Sequence, residues 1–485
     1  MTNLIAQQAG LATATDLSSE AGLFDRVRRS VWLTPVVLTV LALIHGLIYV
    51  FLVPPWEHYD EPGHFHYAAD FAFGEGFRPG SNSVMMNREI ADSMARNGFA
   101  DGTFFPDLTT QETADIAISQ RVHPPLYYMV AGAVIAPVRY LPIETQLYIA
   151  RSLSVALYIL TILAAWRITV IVVPDEPLIQ FGLPLLLLFH AAFTDLMSAV
   201  NNDVLVNMAA TVAILGSVLL VREGPRPLGF ALAGLGLLVA IGAKRSGLLV
   251  SVPVLLGVLF AIRRAPFRRR MIIALIIALP ILIGMIGFRF PTSAESGSGL
   301  LLLPRDWLLA LDESYLRLHL IDWLHSVVNP RSFENYPQLV FVGFTSFWAR
   351  LGWGQISLGP LVDGVFTGLV LCSLLGLLIS VWQLWPELTL WQRRCLWIFA
   401  ATAAVAFLSM FGRLHPLALP DQRPYIPRGR YIFWAMTPLL WLFLLGLMRL
   451  LPASWRRWGL GFLLGALLLL DIFVIAVVLP AAYFD

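Results

Sequence analysis

Lysine is all but missing from this chain, where Lys244 stands alone against 32 arginines. Charged residues make up only 13% of the sequence, against ~25% in a typical soluble domain. The formal net charge of +2 gives no broad cationic field, so nucleic acid is not an expected partner. The two cysteines, Cys372 and Cys395, lie in or beside apolar runs, and no disulfide framework or zinc knuckle follows from them. The HExxH pattern of a metalloprotease helix is absent. So are an internal repeat, a low-complexity tract and any long hydrophilic stretch that could form a second, soluble domain.

What fills the sequence is apolar: 58% of its residues are hydrophobic. Runs suited to membrane spans, each needing about 20 apolar residues, occur near 31–53, 147–172, 178–200, 203–221, 228–242, 247–262, 271–290, 361–383, 395–411, 431–450 and 459–480. The run 228–242 is short for a span, so its ends need burial by neighbours. The first run is too long for a signal-peptide core and no small-residue cleavage site follows it, so it is expected to be retained. These runs predict an all-α polytopic membrane protein of 11 spans, or up to 13 if the doubtful segments 124–141 and 339–353 also cross. The expected organisation is a cytoplasmic tail over 1–30, a transmembrane module over 31–290 containing an external loop at 54–146, an external loop at 291–360, and C-terminal transmembrane helices over 361–485.

Arginine placement orients the chain, because cytoplasmic loops collect basic residues. With the N-terminus inside, the eleven runs place Arg26, Arg28, Arg29, Arg222, Arg226, Arg263, Arg264, Arg268, Arg269, Arg270, Arg393, Arg394, Arg449, Arg456 and Arg457 in the cytoplasm. If His123–Tyr140 crossed, the Arg263–Arg270 cluster would lie outside, so that segment is predicted to be interfacial or re-entrant. In the middle external loop, Arg305–Val328 spaces apolar residues at helical intervals between charges, as a helix lying in the interface does.

The densest chemistry follows the first span, where Glu57, His58, Asp60, Glu61, His64 and His66 fall within ten residues. Ionisable groups at the mouth of a membrane helix are costly and usually functional. A carboxylate there can take a proton from a nucleophile, and carboxylate with imidazole can hold a divalent cation, with Asp60, Glu61 and His64 as the candidate ligands. A solvated loop behind a proline turn is the plain alternative. Asn201-Asn202-Asp203 puts a second carboxylate at the same membrane level, though these residue types also cap helices. Lys244-Arg245 breaks the positive-inside trend, and anionic phosphate would account for it, as would snorkelling to headgroups. Arg413, His415, Arg423, Arg428 and Arg430 concentrate positive charge in the last external loop, and Arg151 opens the second span. His123-Pro124-Pro125-Leu126-Tyr127-Tyr128 is a rigid start to the interfacial helix, and its tyrosines could line a site or serve as ordinary interfacial aromatics. His45 and His190, alone inside apolar runs, suit satisfied packing positions.

These motifs together resemble the GT-C superfamily of membrane glycosyltransferases. Asp60-Glu61-Pro62 with His64 resembles the acidic motif that opens its first external loop. His123–Tyr128 resembles a segment of the dolichyl-phosphate-mannose–protein mannosyltransferase and aminoarabinose transferase relatives. Asn202-Asp203 resembles the second acidic position, although only one carboxylate is present here. Gly429-Arg430-Tyr431 resembles a segment of bacterial relatives of uncharacterised function. The resemblance spans most of the chain through short motifs. It implies a polyprenyl-phosphate-linked sugar donor, an acceptor (lipid, glycan or protein) on the external face, and residence in a bacterial plasma membrane. It makes Asp60 the expected base, with Glu61 beside it or on a metal ion. Asp203 would orient the acceptor, and Lys244, Arg245 and Arg430 would hold the donor phosphate. His64, His123, Tyr127, Arg151, Asn202 and Tyr431 would complete the substrate site. Two other readings remain open: a transporter or flippase for an anionic lipid or solute, and a non-catalytic scaffold.

Overall fold

A computed structural model describes residues 33–99, 120–121, 123–174, 176–263, 340–383, 385–412 and 428–484. The predicted span 271–290, the interfacial helix Arg305–Val328, the Arg264–Arg270 part of the basic cluster, and Arg413, His415 and Arg423 lie outside these residues.

The chain is an integral membrane protein built of helices. Helix α1 (Leu33–Leu52) ends where Pro54-Pro55 removes two backbone donors. Three helices follow before the next long one: α2 (Glu61–Ala72), α3 (Ser81–Arg96) and α4 (Leu126–Ile135). Then come α5 (Ile143–Val172), α6 (Pro177–Leu188), α7 (Ala191–Met197), α8 (Asn202–Glu223) and α9 (Pro227–Ala243). A 3-10 segment, Arg245–Val250, leads into α10 (Ser251–Ile262). After a helical stretch at 340–348, the chain continues through α11 (Pro360–Gln383), α12 (Leu390–Gly412), a 3-10 segment Gly429–Ala435, α13 (Met436–Leu450), α14 (Arg456–Phe473), a π-helical turn Val474–Val478 and α15 (Leu479–Tyr483).

Among the described residues, eight helical segments are long and apolar enough to cross a membrane, or nine if the bent pair α6 and α7 counts as one span. The expected 11 to 13 is therefore not reached in this part of the chain. Two physical reasons stand out. The run 178–200 is broken by 64° between α6 and α7, and α9 has only 17 residues. Even so, α9 lies antiparallel to α8 along its length, with Gly229, Ala233 and Gly236 packed on Gly216, Ala213 and Ala209. Small residues allow this approach, and in lipid such packing drives helix association. The apolar helical segment 126–138 is shorter than the ~20 residues a span needs. The region 339–353 does not continue as a span either. It turns into a hairpin of β1 (Arg350–Leu351) and β2 (Ile356–Ser357), paired antiparallel in the register Arg350↔Ser357, so the fold is not purely helical.

Helix α8 forms the centre: 89% of its apolar window is buried, against 22% for Pro360–Val381 and 33% for α1, whose sides face outward. One end of the bundle carries Asp60, Asn202, Lys244 and Arg430, and is called the near end here. At the far end, Arg222 donates to the Ile171 carbonyl, Gln392 to Val172 and Arg394 to Phe260. These bonds tie the ends of α5, α8, α10 and α12 together. His45 and His190 pack within the bundle with one ring nitrogen bonded each, while His45 Nδ1 and His190 Nε2 are buried without a partner among the described residues. The His45 Nε2 lies 2.6 Å from Asp471, which also accepts from the Tyr49 hydroxyl at 2.8 Å. His190 caps α7 by accepting from the Phe193 N–H and stacks on Trp348.

Candidate active site

The segment between α1 and α2 is held in an unusual backbone path. Trp56 has φ 78° and Asp60 φ 54°, left-handed values that a bulky residue rarely adopts. Trp56 keeps its conformation because its whole environment fixes it. Its side chain is fully buried, and its indole N–H donates to Ser93 Oγ at 2.9 Å. Its backbone N–H donates to Glu61 and its carbonyl accepts from Trp353 Nε1. Such strain persists where the surroundings over-determine it, often at functional sites. Asp60 then sits at the N-cap of α2 without capping it, and Pro62 starts the helix.

The Asp60 carboxylate is turned to Arg430 instead. Arg430 Nη2 donates to Asp60 Oδ2 at 2.6 Å, and its guanidinium lies 4.2 Å from the ring centre of Tyr59. Tyr431 flanks the same guanidinium at 5.4 Å. Arg430 is placed by the 3-10 segment that opens α13. Gly429 there presses on the backbone of Phe347, and its N–H donates to Ser346 Oγ at 2.7 Å.

A second ion pair stands beside the first. Lys244, extended at the C-cap of α9, donates to Asp203 Oδ1 at 2.5 Å, in the first turn of α8. Asn201 caps α8 by accepting from the Asp203 N–H, so the capping role and the site coexist. Asn202 donates to the Ala243 carbonyl at 3.2 Å, which fixes the backbone just before Lys244. Asp60 lies within the field of Lys244, and Asp203 within that of Arg430. The two pairs thus form one cluster of alternating charge.

Two imidazoles line it. His64, one turn into α2, shares a 2.9 Å hydrogen bond between Nδ1 and the Tyr128 hydroxyl, and its ring stacks with His123 at 6.2 Å. Burial pushes the pKa of His64 well down. Burial also pushes His123 down to about 3, helped by Lys244 and Arg245. Burial thus favours the neutral form of both rings. Burial disfavours the charged form of Asp60, but Arg430 and Lys244 outweigh it and hold the carboxyl below its usual range. Among the described residues, Asp203 Oδ2, Asn202 Oδ1, His123 Nδ1 and Arg430 Nε are buried without a hydrogen-bond partner. Native interiors rarely leave such atoms unpaired unless something else binds them.

Three predicted members are placed elsewhere. Glu61 and Arg151 are both fully buried and paired at 2.6 Å. Arg151 spends all five N–H donors, giving two to Glu61 and the others to the carbonyls of Val50, Val53 and Pro54. Glu61 also accepts from the N–H groups of Val200 and Trp56. No donor remains on Arg151 for a phosphate and no acceptor on Glu61 for a substrate or metal, so this pair closes the helix bundle and does not act on substrate. Tyr127 is buried facing Ser154 and the Asn201 backbone, on that same structural side; Tyr128 is the tyrosine at the cluster. With Glu61 saturated by four donors and a guanidinium against Asp60, the trio Asp60, Glu61 and His64 does not offer three free ligands to a divalent cation. Arg245 is exposed at the edge, within the field of His123.

Sequence reasoning missed Asp195. Its carboxylate takes His58 Nδ1 at 2.8 Å on one oxygen and the Gly352 N–H at 2.9 Å on the other. It thereby clamps the hairpin β1–β2 against the Trp56–Asp60 segment. Gly354, at φ 89°, lets this hairpin close on Tyr59 and Arg428. The available signal was a lone carboxylate inside an apolar run, which in membrane proteins is rarely idle.

Comparison with protein-family models, with curated proteins and with solved structures finds no match to this chain.

Proposed function

We propose that the protein is a membrane glycosyltransferase that moves a sugar from a polyprenyl-phosphate carrier to an acceptor on the non-cytoplasmic face. The observation that carries this reading is the joining of Asp60, Asp203, Lys244 and Arg430 into one cluster at one end of the bundle. The arginine-rich far end then faces the cytoplasm.

Of the carboxylates there, Asp60 is the accessible one, with 29% of its side chain exposed against 8% for Asp203 and none for Glu61. That makes it the base. The acceptor oxygen bonds to the anomeric carbon as its proton passes to Asp60. The bond from that carbon to the phosphate oxygen breaks, and the departing polyprenyl phosphate stays on Lys244 and Arg430. Each cation is paired with a carboxylate. A donor phosphate competes for the same cations, and withdrawing Arg430 from Asp60 raises the basicity of that carboxylate just when a base is needed. Outward-facing Met129 and Val130 on α4, next to Tyr128, offer an apolar surface for the prenyl tail.

The test is transfer of radiolabelled sugar from polyprenyl-phosphate donors by purified, reconstituted protein. Wild type is expected to form a new glycosidic product and Asp60→Asn none. Passage of the labelled donor across sealed vesicles with no new glycosidic bond would instead establish the transporter reading.

A further inference from the structure

At the far end lies a cavity of about 200 Å³ between the termini of α5, α6, α12, α13 and α14. Its interior is apolar, with Leu178, Leu396 and Leu445 among the lining side chains, and Arg449 and Arg456 also line it. The Nε of Arg456 donates to the carbonyls of Met448 and Leu451, which pins the guanidinium at the α13–α14 turn and leaves its terminal nitrogens for another acceptor. One carboxylate, Glu176, belongs to the lining as well and is exposed. Trp441 also lines the cavity; its side chain is buried and its Nε1–H has no acceptor among the described residues. An indole N–H shut away from water ordinarily finds a partner.

We propose that this cavity is a binding site for an anionic phospholipid, separate from the site at Asp60. The chemistry of each part selects that class. A hydrocarbon chain fits the leucine-lined interior, a phosphate fits the paired arginines, and an ester carbonyl lying between the two would accept from Trp441. The surroundings select a lipid over a soluble anion. Trp455, Trp458 and Phe462 are strongly exposed on and beside the start of α14, as aromatic side chains are at a bilayer surface. A headgroup at that level meets Arg449 and Arg456 without leaving the membrane. Because α5, α6, α12, α13 and α14 all end here, one lipid would bridge elements that are far apart in sequence.

The experiment uses the detergent-purified full chain, incubated with equimolar phosphatidylglycerol and phosphatidylcholine and read by native mass spectrometry. An arginine near the headgroup contributes ~1 kcal/mol, so phosphatidylglycerol should be retained about fivefold or more over phosphatidylcholine. Arg449→Gln should erase that preference, and Leu396→Trp, which fills the cavity, should lower retention of both lipids. Inorganic phosphate should not displace the bound lipid or raise the melting temperature as phosphatidylglycerol does. Equal retention of the two lipids by wild type would overturn the proposal, and this comparison needs no variant to fold. So would full stabilisation by inorganic phosphate alone, or unchanged retention in both folded variants. None of these readouts depends on glycosyl transfer.

Discussion

Asp60 and Arg430, separated by 370 residues in sequence, meet at 2.6 Å. One follows the first membrane helix and the other opens the 3-10 turn before α13. Only the folding of the bundle between them can bring their charges together. Asp60's immediate neighbour Glu61 turns the other way, to Arg151. Adjacent acids thus turn to opposite sides of the chain, one partly exposed and the other sealed.

That division predicts different costs. Removing one partner of a buried pair leaves an uncompensated charge, worth ~3–5 kcal/mol. Arg151→Leu should therefore lower the melting temperature sharply and reduce the yield of folded protein. Asp60→Asn touches a partly exposed pair and should change stability by no more than ~1 kcal/mol. Thermal melts followed by tryptophan fluorescence in detergent would check this. An Asp60→Asn protein as unstable as Arg151→Leu would mean Asp60 is structural.

Asp195→Ala should loosen the hairpin. It deprives both His58 and the Gly352 N–H of their acceptor, at a cost of ~1–3 kcal/mol. Hydrogen exchange should rise at residues 350–357 while the centre of α8 stays protected. Unchanged exchange there would show that the clamp does not hold the hairpin.

Much of this architecture is legible from hydropathy alone, because the bilayer sets a minimum length for each apolar run. The runs at 31–53, 147–172 and 203–221 correspond to α1, α5 and α8 within a few residues. The break between α6 and α7 is not legible, since 178–200 reads as one apolar stretch and Asp195 is hidden within it. Lys244 announced itself as the single lysine of the sequence, set between two apolar runs. Glu61 and Arg151 did not, because composition cannot tell a carboxylate facing a cavity from one facing a buried guanidinium. That choice is made by the left-handed turn at Asp60, which sends successive side chains to opposite sides.

Acid should weaken the fold before the carboxylates titrate. An unfolded histidine has a pKa near 6.5, whereas His123 in the fold is pushed down to about 3 and His64 also falls well below 6.5. The unfolded chain therefore binds more protons below pH 6.5, so the stability these residues contribute is complete above that value and is lost as pH falls toward 3. Melting temperature should decline already between pH 6.5 and 4.5, and His123→Gln should flatten that decline. A wild-type melting temperature constant over this window would contradict the burial of neutral imidazoles.

Gly429→Ala should disable the site without touching a charge. A Cβ at 429 would run into the Phe347 backbone and displace the turn that carries Arg430. Transfer activity should fall by about tenfold or more, since a misplacement of ~1 Å can cost a hundredfold, while the far-end lipid preference stays intact. Full activity in this variant would show that Arg430 need not be held in place.

The most direct measurement is the binding of a polyprenyl monophosphate to the purified protein and to two variants, Lys244→Ala and Asp60→Asn. If the cluster is a phosphate site whose carboxylates stand in for the ligand, Lys244→Ala should weaken binding by about tenfold. Asp60→Asn, which removes a competitor for Arg430, should bind at least as tightly as wild type and yet transfer no sugar. Binding that is indifferent to Lys244, or that weakens equally in both variants, would contradict the account.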